Sequence, residues 1–391
     1  MGQEAVRAEK DFITEVVDSE HVIQAPGEPA IHKGMPTLEK TDKPLSFFEF
    51  WPGYLFYIPV AVQWLFLAIR HRGLSLPLNA NPGIPLSGMA GESKSDIFAS
   101  ATGQAKEKVA PWIVLPSKSS AHERWQKARK QMQEANLEYP LVAKPDIGCR
   151  GAGVKVVRND VQLLHYISHF PDSGQIVLQK LIDYEAEAGI FYIRHPDTIK
   201  GEIFSITLKY QPYVIGNGED TLETLIEKDP RAGKLKHLYS PRHRDYLQDV
   251  LPEGKPFRLA FAGSHSRGAI FRDGRDFITP ELAKSLDKVC DGLPEFYYGR
   301  LDIRFKDIDS LMQGRDYYIV EVNGASSEAA HIWDCRSSLR EVFRVLFYQY
   351  KTLFQLGAIN RRRGFNPPPV QALLKAWWRE RTLVQQYPDT D

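Results

Sequence analysis

The 391-residue sequence has few cysteines, nearly balanced charge, and no uncharged apolar run as long as the about 20 residues of a typical membrane-spanning helix. Its three cysteines, Cys149, Cys290 and Cys335, are far apart and form no CxxC pair, so neither a zinc ribbon nor a disulfide framework is indicated. We therefore expect a reducing, cytoplasmic compartment. Lys and Arg total 50 against 49 Asp and Glu, and this balance does not indicate a nucleic-acid partner.

The longest uncharged run, Tyr54–Ile69, has sixteen residues and is followed by Arg70-His-Arg72. A membrane-spanning helix needs about 20 apolar residues, and Pro59 and Gln63 interrupt this run. Its aromatic residues and basic flank are typical of a membrane interface at the cytoplasmic side. Three interpretations stay open for residues 51–72: contact with the inner membrane surface, a buried core helix, or a true span.

A glycine-rich stretch follows a short apolar run that ends in Lys144. Gly148, Gly151 and Gly153 lie within six residues and are followed by a second apolar run, a pattern that predicts strand, flexible turn and strand. Glycine lets backbone N–H groups approach an anion closely, and a lysine adds a point charge for a phosphate. The stretch lacks the Gly-Lys-Ser/Thr of a P-loop and the G-x-G-x-x-G of a protein kinase, which excludes both classes.

Two late segments, 299–303 and 318–323, read as apolar strands that contain polar residues. Glu321 and Asn323 are two residues apart, so both point to the same face of their strand. Asp302 on the neighbouring strand can share that face. Two carboxylates and a carboxamide oxygen are hard ligands of the kind that Mg²⁺ (or Mn²⁺) prefers.

Together these motifs resemble the ATP-grasp superfamily, the carboxylate–amine ligases that include D-alanine–D-alanine ligase and cyanophycin synthetase-like enzymes. The resemblance covers roughly residues 90 to 355. It rests on separate segments in a sensible order: 91–97, 139–145, 148–153, 176–181, 299–302 and 321–323. It implies an α+β ATP-grasp fold in which two α+β subdomains clasp ATP between antiparallel sheets.

The resemblance also implies roles for individual residues in binding ATP. Lys94 and Lys144 would contact the phosphates, and Lys144 would also act in catalysis. The glycine loop would close over the β- and γ-phosphates. The segment with Gln179 and Leu181 would contact adenine; the family usually has Glu where Gln179 stands. Either Glu185 or Glu187 would bind the ribose hydroxyls, and the spacing does not decide between them.

For the reacting groups, the resemblance implies that Arg300 stabilises the transferring phosphoryl group. The implied metal ligands are Asp302, Glu321 and Asn323. The implied substrate-binding residues are His265, Arg267 and Ser326. The family usually continues after Asn323 with Ser-Pro-Gly-Met, whereas Gly324-Ala-Ser-Ser-Glu328 stands here. We therefore do not expect D-alanine in particular as the substrate.

The implied activity is that of an ATP- and Mg²⁺-dependent, ADP-forming ligase. It would activate a substrate carboxylate as an acylphosphate and join it to an amine. Small molecules or peptides would supply both groups. The alternative is a membrane-associated, ATP-binding regulatory or scaffold protein without ligase activity. The sequence does not indicate an oligomeric state.

The predicted organisation follows from composition and from the extent of the resemblance. It comprises a flexible N-terminal arm (1–45), a hydrophobic segment and loop (46–89), an ATP-grasp domain (90–357, with subdomains at about 90–183 and 184–357) and a basic, aromatic C-terminal tail (358–391).

Overall fold

The structure, a computed structural model, describes residues 31–38, 46, 48 and 51–390. The flexible arm predicted for residues 1–45 therefore lies outside the described residues, except for 31–38. The described chain divides into two compact units. The first contains Ala110–Ile182 and the C-terminal residues from Glu380; the second contains the described residues up to Val109 and Asp183–Arg379.

The helices and strands are numbered along the chain. The α-helices are α1 (Gly53–Phe56), α2 (Ile58–His71), α3 (Lys94–Ser100), α4 (Gly103–Lys108), α5 (Ala121–Glu134), α6 (Asp160–Ser168), α7 (Leu222–Lys228), α8 (Lys236–Arg242), α9 (Pro280–Asp291), α10 (Ile308–Met312), α11 (Leu339–Arg362) and α12 (Val370–Val384). The strands are β1 (Trp112–Leu115), β2 (Leu141–Pro145), β3 (Lys155–Val157), β4 (Ile176–Lys180), β5 (Ala186–Ile193), β6 (Glu202–Tyr210), β7 (Tyr213–Ile215), β8 (Pro256–Arg258), β9 (Ile270–Asp273), β10 (Tyr298–Phe305) and β11 (Tyr317–Asn323). Short 3₁₀ turns connect several of them.

The first unit is built on a four-stranded antiparallel sheet in the order β1-β4-β2-β3. Helices α5 and α6 share its core, in which Ala128 and Leu163 pack with Leu141 and Leu178 of the sheet. Helix α5 begins at a capping box, where Ser120 and Glu123 each satisfy a backbone N–H group of the other. Alternating apolar residues on the strands and a capped amphipathic helix explain why this segment folds as one layer of helices on one sheet.

The second unit is built on a five-stranded antiparallel sheet in the order β11-β10-β5-β6-β9. The long helix α11 covers one face of it, where Leu346 and Leu353 pack with Phe191 and Ile193 of β5. Strand β10 lies between β5 and β11, so its side chains are buried almost throughout. A smaller layer, made of β7, β8, α7 and α8, has its own apolar core.

The α+β class with two antiparallel-sheet units is confirmed. Residues 90–109, which the sequence grouped with the first subdomain, are part of the second unit, where Val109 forms a bridge with Ile319 of β11. The end of the predicted tail joins the first unit, where the Tyr387 ring stacks on Phe170 at a centroid distance of 5.1 Å. The other predicted boundaries stay a prediction. Within the described residues, each helix is too short or too polar to cross a bilayer.

Candidate active site

The pairing of β10 with β11 brings one predicted catalytic residue, Arg300, together with the predicted metal ligands. Asp302 lies opposite Glu321, and Arg300 lies opposite Asn323. Residues two apart on a strand point to the same face, so these four side chains share one face of the sheet. Gly189 of β5 lies beside them, and a Cβ there would come within 2.9 Å of Arg300 Cδ. The arginine side chain thus lies across Gly189, where a larger residue would require it to shift.

Asp302 is the centre of this cluster. Its Oδ1 accepts a hydrogen bond from Arg300 Nε at 2.8 Å and lies 3.1 Å from Lys209 Nζ. Its Oδ2 accepts from Arg300 Nη2 at 3.2 Å and from Asn323 Nδ2 at 3.3 Å. Burial by itself would raise the pKa of Asp302, but the charges of Arg300 and Lys209 outweigh it and lower that pKa. Asp302 is therefore ionised and held in a defined orientation.

Lys209 of β6 is a residue of this cluster that the sequence prediction missed. The side chain is buried, and its Nζ lies 3.0 Å from Glu187 Oε1 and 3.1 Å from Asp302 Oδ1. Burial would lower the pKa of Lys209, but Asp302 and Glu187 raise it above its ordinary value. The available signal was a lysine within the apolar strand Ile206–Tyr210, where a buried ammonium is costly without a counter-charge.

The two candidates for the ribose hydroxyls have different surroundings. Glu187 lies on β5 and forms the ion pair with Lys209. Gly263 packs against its carboxylate, because a Cβ there would lie 2.2 Å from Glu187 Oε1. Glu185 precedes β5 and pairs with Arg258 of β8. Both carboxylates have basic partners, and the choice between them stays open.

Lys94 and Glu321 form a second contact on the same unit. Lys94 is the first residue of α3, which begins at the N-cap Ser93; the Ser93 hydroxyl accepts from the N–H of Asp96 at 3.1 Å. This cap directs the Lys94 side chain towards β11, and its Nζ lies 3.4 Å from Glu321 Oε1. A predicted phosphate ligand and a predicted metal ligand are therefore neighbours.

The segment after Asn323 is fastened to the same group of residues. The Gly324 N–H donates to Glu92 Oε2 at 2.8 Å, and Arg300 Nη1 donates to the Glu328 carbonyl at 3.3 Å. The Glu328 carboxylate also accepts from the Tyr57 hydroxyl. The side chain of Ser326 in this segment is exposed, and Ser326 lies two residues before Glu328, whose carbonyl contacts Arg300.

His265 and Arg267 lie in a 3₁₀ turn immediately before β9, at the opposite edge of the sheet from β11. The His265 ring packs on Trp333 at a centroid distance of 5.4 Å. The Arg267 carbonyl accepts from the Tyr239 hydroxyl at 3.2 Å. The substrate-binding role of His265 and Arg267 stays a prediction.

In the first unit, Lys144 and Gln179 are brought together by the pairing of β2 with β4. Lys144 Nζ donates to Gln179 Oε1 at 2.7 Å, and both side chains are buried. Gln179 Nε2 donates to the Ala110 carbonyl at 3.3 Å. The amide of Gln179 is neutral where the family usually has a carboxylate, so this lysine contacts a dipole at that position. Leu181 follows directly after β4 and is half-buried.

The glycine loop of the first unit is shaped by Gly153. Its φ of +69° lies in the left-handed region, and a Cβ there would lie 2.8 Å from Pro145 Cγ. The Gly153 N–H donates to the Thr390 hydroxyl at 3.0 Å, and that hydroxyl donates to the Gly151 carbonyl at 3.0 Å. Tyr387 donates to the Ile147 carbonyl at 2.5 Å. Residues near the C-terminus thus hold both ends of the predicted phosphate loop.

The predicted metal ligands have the donor atoms that suit Mg²⁺. Within the described part of the chain no group of three or more His, Cys, Asp and Glu side chains has metal-binding geometry. The predicted set has only two carboxylates, Asp302 and Glu321, and adds the carboxamide of Asn323. Since the Asn323 nitrogen donates to Asp302, its oxygen is the atom that could bind a cation. The donor set therefore fits a hard divalent cation.

No family model matches the chain. The cyanophycin synthetase of Trichormus variabilis is 26% identical over 216 residues, a match that covers 50% of this chain and 23% of that synthetase. The cyanophycin synthetase of a Nostoc species matches with the same identity and coverage. The chain thus spans less than a quarter of the length of these relatives.

Solved structures of ligases are also similar in part. The D-alanine–D-alanine ligase of Bacillus anthracis has 16% identity and a TM-score of 0.36, over 69% of each chain. The VanG D-Ala:D-Ser ligase of Enterococcus faecalis has 12% identity and a TM-score of 0.38, over 70% of this chain and 62% of that one. The resemblance to cyanophycin synthetase predicted from the motifs is confirmed at the level of sequence over half of this chain.

Proposed function

We propose that the protein is an ADP-forming ligase that uses ATP to join a carboxylate to an amine. The observation that carries the proposal is the cluster on β10 and β11, in which Arg300 donates to Asp302 and Glu321 lies beside Lys94. Polar groups preorganised in a buried site can stabilise charge that develops during phosphoryl transfer. A structural ion pair needs only one carboxylate and one cationic group. This cluster brings together two carboxylates, a carboxamide and the cationic groups of Arg300 and Lys94.

Each unit contains proposed nucleotide ligands. In the first unit, Lys144 and the N–H groups of the glycine loop would contact the phosphates, and the segment of Gln179 and Leu181 would contact adenine. In the second unit, Lys94 would contact a phosphate. Lys209 is a further phosphate ligand in this proposal, because its buried ammonium lies next to Asp302. Glu185 or Glu187 would accept hydrogen bonds from the ribose.

Asp302, Glu321 and Asn323 would hold Mg²⁺ (or Mn²⁺), which neutralises phosphate charge when bound. The pairing of Asp302 with Arg300 and Lys209 keeps its carboxylate ionised in the buried site. Because Lys94 lies next to Glu321, a proposed phosphate ligand and a proposed metal ligand would act close to each other. A nucleotide in this site would therefore displace part of the ion pairing that the protein has without it.

The reaction begins when an oxygen of the substrate carboxylate attacks the γ-phosphorus, and the bond from that phosphorus to the oxygen of the departing ADP breaks. This produces an acylphosphate. The amine then attacks the acyl carbon and loses a proton, and the C–O bond to phosphate breaks as the amide forms. Arg300 would stabilise the transferring phosphoryl group and the tetrahedral oxyanion, a contribution of about 10²–10³ in kcat for one preorganised donor.

The substrates in this proposal are a small-molecule or peptide carboxylate and amine in the cytoplasm. His265, Arg267 and Ser326 are proposed to bind them. The exposed side chain of Ser326 is close in sequence to Glu328, whose carbonyl contacts Arg300. The change after Asn323 argues against assigning D-alanine.

The test is ADP release by the purified chain with ATP, Mg²⁺ and panels of carboxylates and amines. We expect release that depends on both an acid and an amine, and a loss of at least about 100-fold in the Glu321→Ala variant. The matched control is Glu219→Ala, which removes an exposed carboxylate of the β7 turn and should leave turnover unchanged.

Glu321 is partly exposed and its ion pair with Lys94 is long, so its removal should leave the fold intact. A Glu321→Ala variant that melts like the wild type and releases ADP normally would overturn the metal assignment. ATP binding without ADP release for every acid–amine pair would instead favour the regulatory or scaffold alternative.

A further inference from the structure

Helix α2 is apolar around its whole circumference apart from Gln63 and the basic residues at its end. One side packs on α11. Val60 and Leu67 are buried there, and the Trp64 ring lies 5.2 Å from the Phe354 ring. An all-apolar helix of a water-soluble unit is normally buried on all sides. Half of α2 is not.

The opposite side of α2 and the turn before it present a continuous apolar surface to the solvent, which we call the α2 face. Its side chains are between 51% and 80% exposed. They are Tyr54, Leu55, Ile58, Val62, Leu65, Phe66 and Ile69. On α2, Ile58, Val62, Phe66 and Ile69 are three or four residues apart, which places them on one helical side. Contiguous apolar surface of this kind marks a contact site for a protein or a membrane.

Basic residues surround the α2 face. On α11, Arg340, Arg344 and Lys351 are exposed at spacings of four and seven residues, on the same side as Phe347. Gln63 Nε2 donates to the Phe347 carbonyl at 2.9 Å, which places this side of α11 next to α2.

The C-terminal end of α2 adds further positive charge. Arg70 and Arg72 are exposed there, and Arg361 donates to the carbonyls of His71 and Arg72 at 3.0 and 3.1 Å. The segment 51–74 contains no acidic residue.

We propose that the α2 face docks on the surface of a lipid bilayer that contains anionic lipids. Apolar side chains on one side of a helix with arginine and lysine around them are the pattern of an interfacial helix. Trp51 and Tyr54 at the start of the segment are exposed and suit the head-group region. At 14 residues, α2 is about 21 Å long and lies on the surface instead of crossing it.

The charge distribution favours a lipid surface over a second copy of the chain. We call the basic residues around the α2 face, Arg70, Arg72, Arg340, Arg344 and Lys351, the basic rim. In a two-fold dimer the same patch meets itself, so the basic rim of one copy would face the basic rim of the other. Anionic head groups, in contrast, complement that rim. The docking does not depend on the ligase activity and can be tested without a substrate.

The test is co-sedimentation of the full chain with phosphatidylcholine vesicles, with and without about 30% phosphatidylglycerol. We expect binding to the anionic vesicles and much weaker binding to the neutral ones. The triple variant Val62→Gln, Phe66→Gln, Ile69→Gln should lose on the order of 100-fold or more in affinity, because each side chain buries apolar surface. The control is Ile199→Gln, which changes a side chain that is 87% exposed in the β5–β6 connection.

The basic rim has a separate test. The double variant Arg344→Gln, Lys351→Gln should lose about 25-fold, since each charge near an anionic surface contributes about fivefold. Its control is Lys284→Gln, Lys288→Gln, which removes two exposed charges from α9. Raising the salt concentration should weaken wild-type binding more than binding of the rim variant.

Absence of wild-type binding to the anionic vesicles would overturn the proposal. So would a triple variant that binds as well as the wild type, provided that thermal melting shows both to be folded. A wild-type dimer that dissociates in the triple variant, in a protein that does not bind vesicles, would assign the α2 face to self-association.

Discussion

Two buried lysines, one in each unit, are predicted or proposed to contact phosphate, and their surroundings differ. Lys144 donates to the neutral amide of Gln179 at 2.7 Å. Lys209 lies about equally close to two carboxylates, Glu187 and Asp302. The two surroundings therefore differ in charge, and we expect the two lysines to respond differently to mutation. Removing Lys209 leaves two carboxylates in a buried sheet, whereas removing Lys144 leaves an amide.

The largest expected effect is that of Lys209→Met on stability. The variant leaves Glu187 and Asp302 without their shared cation, and breaking such a buried pair typically costs about 3–5 kcal/mol in the free energy of unfolding. Urea unfolding followed by circular dichroism measures this. The double variant Lys209→Met, Glu187→Gln should recover part of the loss, because one buried charge is also removed. A loss below about 1 kcal/mol for the single variant would contradict the charge-pairing account.

The second prediction concerns how the free energy of unfolding depends on pH, because buried groups lose their stabilising contribution in different pH ranges. His331 is buried, with Nδ1 2.7 Å from Ser205 Oγ, and burial, with Arg275, lowers its pKa to about 4. The unfolded chain binds a proton at this histidine below pH 6.5 and the folded chain does not, so stability falls between about pH 6.5 and 4. The loss amounts to about 3 kcal/mol. In His331→Gln the difference in unfolding free energy between pH 7 and pH 4 should shrink by that amount.

Asp302 loses its stabilising contribution in the same direction, on acidification, but at a lower pH. Its pKa is lowered in the folded chain, so its stabilising contribution is present above its ordinary pKa and is lost only as the pH falls through the lowered value. Between pH 7 and 5, therefore, Asp302→Asn should not change the slope of stability against pH, while His331→Gln should. Equal slopes for His331→Gln and the wild type would show that this histidine takes up a proton in the fold.

The smallest effect is expected for Lys144→Ala. It removes a hydrogen bond to an amide, so the free energy of unfolding should fall by only about 1 kcal/mol. ATP affinity should fall about 10- to 100-fold, as expected for the loss of one charge-assisted contact. Calorimetric titration with ATP measures the affinity. Lys127→Ala on the exposed side of α5 is the matched control, and equal affinities for the two variants would remove Lys144 from the proposed site.

The residues on β10 and β11 could be predicted because their arrangement follows from local pattern. Glu321 and Asn323 are two positions apart on a strand, and the pairing places Asp302 directly opposite Glu321. The family resemblance implied a role for Lys94 and one for Glu321, whereas their contact appears only in the folded chain. Lys209 could not be found in this way, because its neighbours depend on the order of the strands in the sheet.

The different partners of Glu185 and Glu187 likewise depend on strand pairing and not on local sequence. Both precede or begin the same strand, and the sequence spacing allows either to bind ribose. The pairing of β5 with β6 places Glu187 opposite Lys209, whereas Glu185 lies outside the strand and pairs with Arg258. The register of one strand pair thus gives neighbouring carboxylates different partners.

Local sequence was sufficient for the strands, the glycine turn and the shared face of the polar residues, because strand periodicity and glycine conformations depend on near neighbours. Only the folded chain decided which side of α2 is covered by α11 and which is exposed, since the helix is apolar on both sides. It also brought Thr390 to Gly153, a contact across 237 residues, and Lys209 to Asp302. Such long-range pairs are set by packing and strand order, which no local pattern encodes.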